Sequence, residues 1–319
     1  MRNLHRSCRS QCMRVFALLT IATIDFLICN ADPPITALAF TKDQLQVISG
    51  SQRGLVVCNW PNLTQTRSFD CGLDNIHCIA PSLDRKELLV GGGRPGLSGV
   101  VQLRSWPELE LKETWQDHRD VVYEVAWRED GSEWASVSWD GVCKVYAVNA
   151  KSAHSSKTNH SAPLFAATYL GGRTLATAGV DRTIVVSNTE SGKVIRSLTQ
   201  HTKTIHALAS QPSRADVPQR LLASASEDRT VRFWQAEIGR MVRFLRFASI
   251  PRAIAWSPDG SRLVVGCDDG TVNEVDPDSL SVQIIAKKGI GVQNIIVDAG
   301  YKHIVATGGE ELWSIQIPR

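Results

Sequence analysis

Leu222-Ala-Ser-Ala-Ser-Glu-Asp-Arg-Thr-Val-Arg-Phe-Trp234 reads as two short β-strands joined by a tight reversal. Small, β-branched and aromatic residues fill both arms and suit a pleated surface, while Asp228-Arg229 supplies the turn. Upstream, His201 precedes another short strand, Ile205-His-Ala-Leu-Ala209. Downstream, Arg243 alternates with Phe244 and Phe247 as on an outer strand. The unit is therefore four strands in about forty residues, a size typical of one blade of a radial β-fold.

The unit recurs. A short strand ending in an apolar-plus-Ala step appears at Ile-Thr-Ala-Leu-Ala39, Ile-His-Cys-Ile-Ala80, Val-Tyr-Glu-Val-Ala126, Pro-Leu-Phe-Ala-Ala167, Ala209, Pro-Arg-Ala-Ile-Ala255 and Gln-Asn-Ile-Ile-Val297, at spacings of 41, 46, 41, 42, 46 and 42 residues. Polar turns such as Ser257-Pro-Asp-Gly260 follow the first strand, and Asp140-Gly141, Asp181-Arg182 and Asp269-Gly270 follow the second. Seven copies predict an all-β, seven-bladed propeller as a single domain over 32–319. The blades run roughly 35–70, 75–116, 121–158, 162–200, 204–247, 251–288 and 292–317. The last stretch has room for three strands, so the last blade is expected to be three-stranded unless residues near 20–29 return to complete it.

The 222–234 stretch, with His201 before it, resembles a complete repeat of the WD-repeat (G-beta-like) propeller family. The resemblance covers 35–319 and implies a hydrogen-bonded set within the blade: His201, Ser224 or Ser226, Asp228 and Trp234. Partial sets are implied at His118 with Asp140, His160 with Asp181, and Asp269 alone; Tyr146, Ser187 and Val275 stand at the Trp position. A buried carboxylate needs such donors. The paired Asn59-Trp-Pro-Asn-Leu63 and Ser105-Trp-Pro-Glu-Leu109 segments, with the N-terminal residues, resemble exported bacterial WD-repeat proteins. One fold hosts many activities, so neither likeness names a function.

Arg2, Arg6, Arg9 and Arg14 precede an apolar run from Val15 to Cys29 and the small-residue step Cys29-Asn-Ala31, which reads as a signal peptide over 1–31 and an exported protein, periplasmic or secreted. The run is too short for a stable membrane span. The alternative is a cytoplasmic protein with 20–29 retained as a closing strand. Removing the four arginines and Asp25 from 35 basic and 32 acidic residues leaves 31 of each, so the mature chain is neutral and nucleic acid is not an expected partner. Of eight cysteines, the five beyond residue 31 (Cys58, Cys71, Cys78, Cys143 and Cys267) form no Cys-x-x-Cys pair and read as small apolar strand residues; a Cys71–Cys78 disulfide is the alternative in an oxidising compartment.

No catalytic constellation, metal-ligand spacing or cofactor motif emerges. Gly91-Gly-Gly-Arg-Pro-Gly96 lacks the Lys-Ser/Thr of a phosphate loop. The position three residues before each strand-ending step does vary in chemistry: Thr36, His77, Tyr123, Leu164, His206, Arg252 and Asn294. A core position would be uniformly apolar, so these residues are expected at the channel mouth, joined by Trp139, Glu227 and Asp268 before the turns. Packing between blades is the other account of Tyr123 and Trp139. Arg229, Arg232, Arg240, Arg243, Arg246 and Arg252 form a second candidate surface, read first as a charged edge that blocks strand pairing. The expectation is a monomeric, non-catalytic scaffold binding a protein or peptide at the mouth. A propeller hydrolase or lyase using Tyr123, His77 and His206, and an intracellular assembly factor, are the alternatives.

Overall fold

The computed structural model describes residues 29–30 and 33–318, apart from 42, 85, 158 and 214–219. Among the described residues, twenty-eight strands form seven four-stranded antiparallel sheets. In six of them the strands follow chain order from the channel outward, as in blade five: Ile205–Ser210, Leu222–Ser226, Thr230–Gln235 and Arg240–Arg246. The two middle strands of each blade are covered on both faces, so Glu133–Ser138 and Leu222–Ser226 are buried along their whole length. With both faces covered, even their serines and Glu133 are buried, so the polar residues of these strands must find partners inside the protein.

Seven hydrophobic clusters occupy the seven interfaces between neighbouring blades. Successive residues of one middle strand serve opposite interfaces. Trp134 packs with Trp115 and Tyr146 toward blade two, whereas Ala135 and Val137 pack with Leu164 and Tyr169 of blade four. The ring closes the same way, with Val305 and Leu312 of blade seven against Ile35, Val47 and Leu63 of blade one.

The expected three-stranded last blade is corrected. Its sheet runs Asn294–Val297, His303–Gly308, Glu311–Gln316 and then Cys29–Asn30, with Cys29 paired to Leu312 and Asn30 to Glu311. A sheet edge leaves unpaired N–H and C=O groups, and a strand from the far end of the chain covers part of this one. The rest of the 1–31 leader lies outside the described residues, and cleavage after Ala31 would remove this strand. Among the described residues no helix is long and apolar enough to cross a membrane. Cys58, Cys71, Cys78, Cys143 and Cys267 are all buried free thiols, so the Cys71–Cys78 disulfide is absent.

The Trp-Pro segments are turns between the two outer strands of blades one and two. They seat Leu63 and Leu109 in the interior, and Trp60 packs edge-on against Phe40 and His303. Arg67 donates from Nη1 to the Pro107 carbonyl at 2.9 Å, tying one turn's blade to the other's turn. These segments are structural.

Candidate functional site

The inner strands of blades two to six each open with a β-bulge: two residues oppose one on the neighbouring strand, which re-aims the extra side chain. The bulged residues are His77, Tyr123, Phe165, His206 and Arg252. Thr36 in blade one and Gln293 in blade seven precede the paired residues Ala37 and Asn294 and complete the rim. Here the sequence reading was off by one in two blades. Leu164 is fully buried in the core between blades three and four, and Phe165 takes its place; Asn294 lies one step down the channel wall, behind Gln293. The runs Ala166-Ala167 and Ile295-Ile296-Val297 offer several equivalent steps, so strand pairing alone sets the register.

The rim surrounds a cavity of about 600 Å³ lined by Thr36, His77, Tyr123, His206, Arg252, Asp268 and Asn294, together with Phe165 and Gln293. Trp139 and Glu227 stand at its edge against these residues. One half is aromatic. Tyr123 lies 4.7 Å from His77, 5.7 Å from Trp139 and 4.9 Å from Phe165, centroid to centroid, and Phe165 continues to His206 at 5.4 Å. Trp139 keeps 40% of its surface exposed, so it is not core packing between blades. Burial holds the His77 imidazole below its usual range and raises the Tyr123 phenol, with Asp120 adding to the latter.

The other half is charged. Arg252 grips Asp268 in a two-pronged bond, Nε to Oδ1 at 2.7 Å and Nη2 to Oδ2 at 3.0 Å, the strong geometry for this pair. His206 Nε2 lies 3.0 Å from Glu227 Oε1 and 2.6 Å from Arg252 Nη1, and one ring nitrogen can satisfy one of these at a time. Burial, then repulsion from Arg252, lowers the His206 pKa despite Glu227. His77 and His206 do not converge. Among the described residues no hydrogen bond links His77 to a carboxylate or to His206, and the rings of Tyr123 and Phe165 intervene. The arrangement that would have favoured the enzyme reading is not formed. Nor, among the described residues, do three His, Cys, Asp or Glu side chains come together as a metal site.

Outside the rim lie the polar sets. In blade five the indole of Trp234 donates to Ser224 Oγ at 2.9 Å. Ser224 lies 2.7 Å from His201 Nε2, and His201 Nδ1 lies 2.8 Å from Asp228. Burial raises the Asp228 pKa, but bonds from Thr230, His201 and the Thr202 N–H outweigh it and hold the carboxylate at about 2. An ionised Asp228 requires the proton on Nδ1, so Ser224 donates to Nε2. Ser226 instead braces the turn, donating to the Lys203 carbonyl and accepting the Asp228 N–H; the choice left open in the sequence goes to Ser224. Blade three repeats the set through Asp140, His118 and Ser136, at 3.0 and 2.9 Å. Blade four repeats it through Asp181, His160 and Thr177, at 2.9 and 2.8 Å. Asp269 has Thr271 at 2.7 Å in place of a histidine.

The basic surface is dispersed. Arg243 binds the Pro277 and Asp278 carbonyls, Arg232 reaches Asp228 and lies over Phe244, and Arg252 belongs to the rim.

Comparison with known proteins covers the sets of blades three and five and the Asp269 turn, but not the blade-four set. Residues 109–147, 192–235 and 245–273 match the WD40 family, described as WD domain, G-beta repeat. The chain carries WD40 repeats. Each WD40 match opens on or just before the outer strand of one blade and ends in the third strand of the next, so the sequence repeat is offset from the structural blade. Residues of the chain are 41% identical over 83 positions to coronin-7 of Rattus norvegicus, covering 26% of this chain and 9% of that protein. They are 24% identical over 175 positions to p21-activated protein kinase-interacting protein 1-like of Gallus gallus, 54% of this chain and 45% of that one. Nuclear distribution protein PAC1 of Coccidioides posadasii (strain C735) is 30% identical over 217 positions, 64% and 46% respectively. The chain thus spans less than half of each of these relatives. They come from animals and a fungus, and lend no support to the likeness to exported bacterial proteins.

Proposed function

We propose that this protein is a non-catalytic WD40 scaffold that captures a protein or peptide partner at the channel mouth, acting as a monomer. The observation that carries the reading is the rim. Five bulges turn chemically different side chains toward one opening, and a stiff frame holds such contacts at little ordering cost. The exposed Trp139 beside Tyr123 and Phe165 has the character of an interface hot spot. Replacing Tyr123 and Trp139 together by Ala should leave the unfolding transition within a few degrees of wild type and abolish partner capture in a pull-down. Recovery of the partner at wild-type yield retires the reading.

Export after cleavage near Ala31 is the compartment the leader suggests. The retained, intracellular alternative draws support from the Cys29–Asn30 strand in blade seven. Sequencing the N-terminus of the native protein separates them: a start at Asp32 means export with that strand gone, and a start upstream of Cys29 means retention.

A further inference from the structure

Directly below the rim the channel has a second tier, formed by the residue that follows each rim position. It is Ala37, Ala207 and Ala253 in blades one, five and six, Cys78 in blade two and Asn294 in blade seven, all lining the cavity, while Ala166 of blade four is buried. In blade three it is Glu124. Small side chains leave space, and one carboxyl group, Glu124, lines the same cavity as Tyr123 and Phe165. Among the described residues no side chain hydrogen-bonds to Glu124 or pairs with it. Its compensation is the backbone N–H of Val125, and burial pushes its pKa up to about 8. Near neutral pH this half-buried group is therefore held toward its protonated form, and a cation brought to it would favour the carboxylate by supplying the missing counter-charge.

The surroundings favour the same sign of ligand. The mouth presents the carboxylates of Glu227, Asp268 and Asp120 against one guanidinium, Arg252, which Asp268 already holds. His77 and His206 are held toward the neutral form by burial. Aromatic faces attract cations, and Tyr123 and Phe165 of the rim line the same cavity as Glu124.

We propose that the channel mouth receives a cationic side chain, a lysine or arginine carried by the protein partner, with its charged end at Glu124 and its stem along Tyr123 and Phe165. This rests on the mouth reading above and specifies the chemistry of its partner.

N-butylguanidinium chloride serves as the probe and N-butylurea as its neutral counterpart, each titrated into the nitrogen-15-labelled full chain while the Trp139 indole resonance is followed, assigned with Trp139→Phe. The guanidinium should move that resonance saturably, and the urea should bind at least tenfold more weakly. Glu124→Gln should weaken guanidinium binding tenfold or more, Glu124→Asp should fall between, and both should melt near wild type at pH 6. Equal binding of the urea, undiminished binding by Glu124→Gln, or no saturable response to the guanidinium overturns the proposal. The two readings fail separately: if partner capture depends on Tyr123 and Trp139 but the guanidinium does not bind, the scaffold stands and its cationic ligand falls. If capture survives loss of both aromatic residues, the scaffold reading itself falls.

Discussion

Blade five and blade seven reach the same four-stranded sheet by different means. Blade five closes its middle hairpin around Asp228, whose carboxylate gathers His201, Thr230 and the Thr202 N–H, and His201 leads on through Ser224 to a fully buried Trp234. Every partner lies within 34 residues of sequence, from 201 to 234. Blade seven turns in two residues, with Gly308 paired to Glu311, and has no such set. Among the described residues no hydrogen-bond partner reaches Thr307 Oγ1, which is buried there. Trp313 is covered by Lys288 of the blade-six side, its ammonium 4.4 Å from the ring centroid, and the outer strand comes from Cys29–Asn30. One blade is stabilised by its own residues; the other borrows from the preceding blade and from a strand near the start of the sequence.

The contrast can be broken most forcefully at Trp234. Trp234→Ala should cost about 3–5 kcal/mol in denaturant unfolding, because it empties a large buried site and leaves Ser224 short of a donor. Acid should reach blade five next. Asp228 is held at about 2 in the folded protein against an ordinary 3.8, so the unfolded chain binds more protons between those values. The stability it contributes is complete above about pH 4 and is lost as pH falls toward 2, amounting to about 2 kcal/mol. Asp228→Asn should flatten that part of the stability–pH curve, and an unchanged slope would argue that the carboxylate is not paired. For blade seven, deleting residues 1–31 should cost about 1–2 kcal/mol through the lost strand pairing, with faster amide exchange confined to Glu311–Gln316. Glu310→Ala, in the turn that lacks the aspartate set, should change stability by less than about 0.5 kcal/mol. A larger effect would show that blade seven holds a polar set of its own.

The sevenfold period was legible because every blade repeats the same strand–turn grammar, and turn chemistry is local. The set at His201, Asp228 and Trp234 came from the resemblance to the WD-repeat family, which left Ser224 and Ser226 as alternatives until the hydrogen bonds chose Ser224. At the mouth, His77, Tyr123, His206 and Arg252 were readable as variation where a core position would be uniform. Phe165 and Gln293 were not, because a one-residue bulge shifts which side chain faces the channel and an all-apolar run conceals the shift. Glu124 carries no motif at all: a glutamate in a strand ordinarily faces water, and its meaning comes from sharing a cavity with small or neutral residues of five other blades.

The amino-acid sequence alone determined the architecture, since strand propensity, turn residues and periodicity act over a few residues each. The tertiary structure alone decided the closing strand, the bulge-set rim and the isolated carboxyl group of the channel. Each of these depends on pairing register or on groups brought together from opposite sides of a ring, and neither is written in any single stretch of chain.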